Sequence, residues 1–286
     1  MSELTLKRFR KFRSIKRGYY SLICITLLYL ISFGLEFIAN NKAILVRYNG
    51  QYYFPVFKKY IPEREFGGTS EAETDYRALQ LRLQEKQGGN FVLMPIIPYS
   101  PTEALLDLPG NPPHKPSLEH LLGTDDRGRD VLVRLLYGFR ISMSFGLKVT
   151  SLGMLLGICI GALQGFYGGL FDIIVQRLIE IWSTVPFLYI VIIVVSVFEP
   201  GYHWLVAILT LFRWMGMTYY IRGEFYREKS REYALAAKAL GAKDATVIFR
   251  HILPNSLVPV ITYFPFAVVA AIASLVSLDF LCFGLP

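Results

Sequence analysis

Five apolar segments, separated by charged ones, restrict this chain to a membrane fold before any motif is considered. Residues 19–39, 143–166, 171–198, 203–221 and 257–278 each read as a helix able to cross ~30 Å of hydrocarbon. Composition agrees, since 53% of the residues are apolar and 18% are charged. A soluble domain of this size carries more charge. The fold expected is an all-α polytopic membrane protein with five spans and a mixed extracytoplasmic insertion after the first.

The basic residues sit in two places. Lys7, Arg8, Arg10, Lys11, Arg13, Lys16 and Arg17 crowd a tail at residues 1–18, and Arg222, Arg227, Lys229, Arg231, Lys238, Lys243 and Arg250 crowd residues 222–256. Both clusters flank apolar segments, so they mark the cytoplasmic side of a membrane rather than a nucleic-acid surface. Four expected spans lie between them, which returns the chain to the same side and places the N-terminus in the cytoplasm.

Chemistry of the chain's own is not indicated. Cys24, Cys159 and Cys282 form no CxxC pair, and the histidines are scattered, so neither a disulfide framework nor a metal site is expected. Without a GxxxxGK[ST] loop there is no ATPase on this chain, and no nucleophile–base set suggests catalysis or a cofactor.

Between the spans, residues 40–120 read as an extramembrane segment. YNGQYYFPVF there suggests turn and strand, residues 75–86 suggest a helix, and seven prolines from Pro95 to Pro116 preclude long helices. A docking surface or lid is one reading, and a loop without a role is the other. Residues 121–142 suggest an amphipathic helix, either lying in the membrane interface or packed on the protein itself. Gly153, Gly157, Gly161 and Gly165 put small residues on one helix face, where a neighbouring helix can come close. Pro186 marks a kink, and Arg177 can pair with Glu180. Arg213 falls near the middle of a span. It lines a pathway, or it is held structurally by an acid such as Glu180 or by a carbonyl.

The loop 231–255, REYALAAKALGAKDATVIFRHILPN, carries the most specific pattern. Residues 232–240 favour a helix. Gly241 suits a left-handed C-terminal cap, Asp244 can cap a second short helix over 245–251, and Pro254 helps end it. Ala236, Ala237 and Gly241 would keep one side thin enough to enter a cleft on another protein.

Here the chain resembles the permease subunits of ABC importers. Their shared cytoplasmic loop reads EAA, three residues, G, nine residues, then I-x-L-P. Ala236, Ala237, Gly241, Leu253 and Pro254 match, while Leu235 and His251 stand where the pattern has Glu and Ile. The peptide-type branch has this form, with YxxAAxxLG and RHILPN. The string LGTDDRGRDVLVRLLYGFRIS resembles the signature before the second span of dipeptide, oligopeptide and nickel permeases. IAN-N-K and LVRYNGQYYFP resemble the Yej-type branch, which takes up oligopeptides and microcin C.

The resemblance implies a coupling loop, residues 222–256, in which Glu232, Tyr233, Ala236, Ala237, Leu240, Gly241 and Pro254 meet an ATP-binding subunit or fused ATPase. It also implies a second permease subunit in a heterodimer, a periplasmic peptide-binding protein, ATP bound by partner chains only, and residence in the bacterial inner membrane. The core would be residues 121–286. The family has six spans, so a last span is expected beyond this sequence. An ion-driven secondary transporter, a membrane-anchored scaffold, and nickel as cargo are the competing readings.

Overall fold

The computed structural model describes residues 10–58, 60–85, 89–198 and 201–284. Lys7 and Arg8 of the basic tail, and Glu199 and Pro200, lie outside the described residues. The chain divides into two compact units, Met1–Ile141 and Ser142–Pro286.

In the first unit, helix α1 (Lys16–Ser32) is followed by the one-turn helix α2 (Leu35–Ile38). A three-stranded antiparallel sheet comes next, in the order β2 (Gln51–Tyr53), β1 (Leu45–Tyr48), β3 (Phe91–Leu93). Asn49 and Gly50 join β1 to β2 with positive φ at both positions, 48° and 79°. That is the two-residue hairpin turn that an Asn-Gly pair favours. Helix α3 (Tyr76–Glu85) begins as the sequence suggests, with the Asp75 carboxylate accepting the Arg77 and Ala78 N–H groups. Val46, Phe66, Tyr76, Leu79 and Val92 make the core between sheet and helix. The insertion therefore has a hydrophobic centre of its own. Burial, with the nearby Glu73 charge, pushes the Tyr76 phenol up to about 12.

Residues 121–130 form a tight turn rather than the start of a helix. Asp130 accepts the Val133 N–H through Oδ1 at 2.9 Å and pairs through Oδ2 with His120 Nδ1 at 2.8 Å, all of it buried. Burial pushes the Asp125 carboxyl up. Hydrogen bonds from Arg129 and the Arg127 backbone, with the Arg129 charge, outweigh that and hold it at about 2. Arg134 adds a second ion pair to Asp125. Helix α4 then runs unbroken from Val131 to Tyr167, 37 residues, or about 55 Å. The expected interfacial helix is thus the first part of one long membrane helix.

The second unit continues with α5 (Gly169–Ser183), α6 (Phe187–Val197), α7 (Tyr202–Lys229), α8 (Glu232–Ala239) and α9 (Val258–Phe280). The glycine stripe of α4 receives α7. A Cβ on Gly157, Gly161 or Gly165 would lie 2.5–2.7 Å from atoms of Trp214, Thr218, Arg222 or Phe225. The two backbones therefore touch along the stripe, as small residues every fourth position allow.

The expectation of five spans is corrected. Among the described residues, three helices are long and apolar enough to cross a membrane, α4, α7 and α9, with a fourth crossing if α5 and α6 are taken as one broken span. The break between α5 and α6 bends the chain by 71°, and Pro186 stands at it as the sequence suggests. The lost span is the first. Helix α1 has 17 residues, about 25 Å, and the chain turns at Phe33 and Gly34. There Arg140 binds the Ser32 carbonyl and Glu36, and Ala39 bridges to Ile97. With that count, the even-span argument for placing the tail does not hold.

Candidate functional site

The α7–α9 loop presents two faces of opposite character. Ala234 and Ala237 are buried against Phe166, Ile221, Phe225, Val247, Ile248 and Ile252. Tyr233 points the same way. Its hydroxyl donates to Glu228 at 2.7 Å, and Arg231 Nε meets that carboxylate at 3.1 Å. Burial and this bond raise the Tyr233 phenol above its ordinary value. A buried carboxylate is tolerated only when so supplied with donors. The outward face carries Glu232, Leu235, Ala236 and Leu240, with Phe249 beyond. Leu235, Leu240 and Phe249 are 54%, 88% and 68% exposed.

Gly241 ends α8 as its position suggests. It has φ of 82°, its N–H donates to the Lys238 carbonyl, and the Ala242 N–H donates to the Ala237 carbonyl. This is the Schellman arrangement. The second helix starts at Asp244 with no side-chain cap, so Asp244 does not cap it. Nor does Pro254 end it. The chain widens into a π-helical turn over Val247–Ile252 and continues helically through Leu253–Ser256. The π turn gives room to a proline that can neither donate nor tolerate the usual carbonyl behind it.

Of the residues singled out for coupling, Glu232, Ala236, Leu240, Gly241 and Pro254 are exposed, whereas Ala237 is buried and Tyr233 partly so. The two alanines of the motif thus face opposite ways. Arg213 lies apart, on α7. Its Nη2 donates to the Ala270 carbonyl at 2.8 Å and to Ser274 Oγ at 2.6 Å. Glu180 pairs with Arg177 at 2.5 Å.

Sequence reasoning missed one cluster. Asp172, 4% exposed on α5, takes a two-pronged ion pair from Arg222, both bonds 2.6 Å, and hydrogen bonds from Tyr226 and Gln164. It ties α4, α5 and α7 together beside the Gly168-Gly169 turn. A lone acid four residues into a helix after Gly-Gly was the one signal available. Its partner is 50 residues away.

A family model described as a binding-protein-dependent transport system inner membrane component matches residues 153–286. Over 286 residues the chain is 43% identical to the inner membrane ABC transporter permease protein YejE of Escherichia coli strain K12, covering all of this chain and 83% of that protein. The chain belongs to the ABC-importer permease family. It is also 39% identical to the peptidoglycan transport system permease protein YejE of Agrobacterium fabrum, covering 80% of it, and 36% identical over 66% of its own length to the oligopeptide transport system permease protein OppC of Bacillus subtilis. The permease is therefore a multi-pass inner-membrane transport subunit of YejE type, not an ion-driven carrier. It belongs to an architecture in which an ATPase and a substrate-binding protein are separate partners.

Proposed function

We propose that the permease imports peptides as one of two non-identical transmembrane subunits, and that its ATPase partner docks on the α7–α9 loop. The observation that carries this is the loop's two-sidedness. Three large apolar side chains stand exposed on a short helical element whose other face is fixed into the membrane helices. Such an element can receive a push and pass it on.

Glu232, Ala236, Leu240 and Gly241 form the contact surface in this reading, with Leu235 and Phe249 beside them. Tyr233 and Ala237 fasten the element from within, and Pro254 sets the turn that leads into α9. Residues 222–256 then lie in the cytoplasm, in keeping with their basic character. Residues 40–120 lie in the periplasm, where the binding protein delivers cargo. The name of the Bacillus subtilis relative supports oligopeptides as cargo, and the Yej-type resemblance adds microcin C as a peptide–nucleotide member of that class. The Agrobacterium relative, similar along the whole chain, favours peptide-bearing peptidoglycan fragments as a second reading.

The test is Leu240→Asp in the assembled importer. Peptide uptake and substrate-stimulated ATP hydrolysis should fall at least ~10-fold with membrane insertion unchanged, because a charge is placed in the centre of an apolar contact. Undiminished uptake at equal expression would sink the docking surface. Ala237→Arg is the wrong probe, since it overfills the permease's own interior.

A further inference from the structure

A cavity of about 270 Å³ opens beside Arg213, walled by Thr150, Tyr220, Tyr263, Phe266 and Ala270 among others. Two features of it are unexplained by packing. Arg213 has only neutral acceptors, the Ala270 carbonyl and Ser274 Oγ, and both are taken by Nη2. Its Nε–H and both Nη1 hydrogens have no acceptor among the described residues, and no carboxylate among them pairs with it. A cation at such depth in a membrane protein is costly unless a counter-charge or water meets it. The second feature is Thr150. It is 3% exposed, and its hydroxyl has no hydrogen-bond partner among the described residues. A charge without a counter-ion thus opens on the cavity, and an unpartnered hydroxyl is enclosed in its wall. The Tyr220 and Tyr263 rings, stacked with centroids 4.4 Å apart, add a flat aromatic wall.

We propose that this cavity binds the terminal carboxylate of the transported molecule as it crosses. Arg213 supplies the charge, the Thr150 hydroxyl a hydrogen bond, and the tyrosine pair a surface for the adjoining residue. The volume suits one residue's end group rather than a whole peptide. This rests on the peptide-import reading above.

The experiment compares a tripeptide with its C-terminal amide in proteoliposomes holding the complete importer, each delivered by saturated binding protein. Wild type should import the free acid roughly 10-fold faster than the amide, as expected for one charge-assisted hydrogen-bonded contact. Arg213→Gln should bring that ratio near one by slowing the free acid more than the amide, and Arg213→Lys should keep most of it. Ser274→Ala, which removes one bond between helices and one within α9, should keep the ratio. Equal loss of both substrates in Arg213→Gln would mean that Arg213 merely braces α9. An unchanged ratio would mean that the cavity holds something else, such as a lipid phosphate. Either result overturns the carboxylate site alone. If wild type imports neither peptide, the peptide reading fails and this proposal fails with it.

Discussion

Within the second unit, α4 from Ser142 on and α7 are built on different terms from α9. In the apolar windows of α4 and α7, 44% of residues are buried, against 17% for α9. The first two touch backbone to backbone through a glycine stripe and are pinned by Asp172 and Arg222. The last leaves Ile261, Phe266, Val269, Val276 and Phe280 exposed. The α4–α7 pair is finished within one chain, whereas α9 has most of its surface still to be covered by lipid or by a second subunit. Contact in hydrocarbon comes from close fit rather than from water exclusion, so the two regions should respond very differently to substitution.

The largest effect is expected at the stripe. Gly161→Leu drives a side chain into the Thr218 carbonyl and the Arg222 backbone, and should cost about 3 kcal/mol or more. The measurable outcome is loss of a monodisperse, cooperatively melting complex in detergent. A normal melt would show that the helices can separate freely. Next, Asp172→Ala leaves Arg222, its side chain 30% exposed, without its partner and should cost about 2 kcal/mol. Exchanging the two residues should recover part of this, and a neutral result for Asp172→Ala would remove the ion pair from the account. The smallest effect belongs to α9. Val269→Ser should change the permease's own melting stability by only about 0.5 kcal/mol, yet reduce recovery of the second permease subunit on co-purification. If recovery is unchanged, that face meets lipid.

Much of this architecture is legible in local sequence. The glycine stripe, the Pro186 break, the Asn49-Gly50 hairpin and the Gly241 cap each depend on residues a few positions apart, and each stands where its chemistry puts it. The misjudged features depend on distant partners. Residues 19–39 are apolar enough for a span, but the helix stops because Arg140, over 100 residues later, fixes the Ser32 carbonyl and Glu36. The Asp172–Arg222 pair is invisible for the same reason. Composition gives Ala236 and Ala237 the same character, and only the packing of Phe166 and Ile252 around the loop makes one a surface residue and the other a core residue.

The glycine stripe also has a mechanical consequence. From Gly153 to Gly165, α4 and α7 are in continuous contact over about 18 Å, with no flexible side-chain layer between them to absorb strain. They behave as one beam whose lower end carries the α7–α9 loop. A tilt of about 5° at that end displaces the far end of the stripe by about 1.6 Å, next to Arg213, whose Cβ lies against Gly153. If the loop docks the ATPase and the cavity holds cargo as proposed, they form the handle and the jaw of one lever.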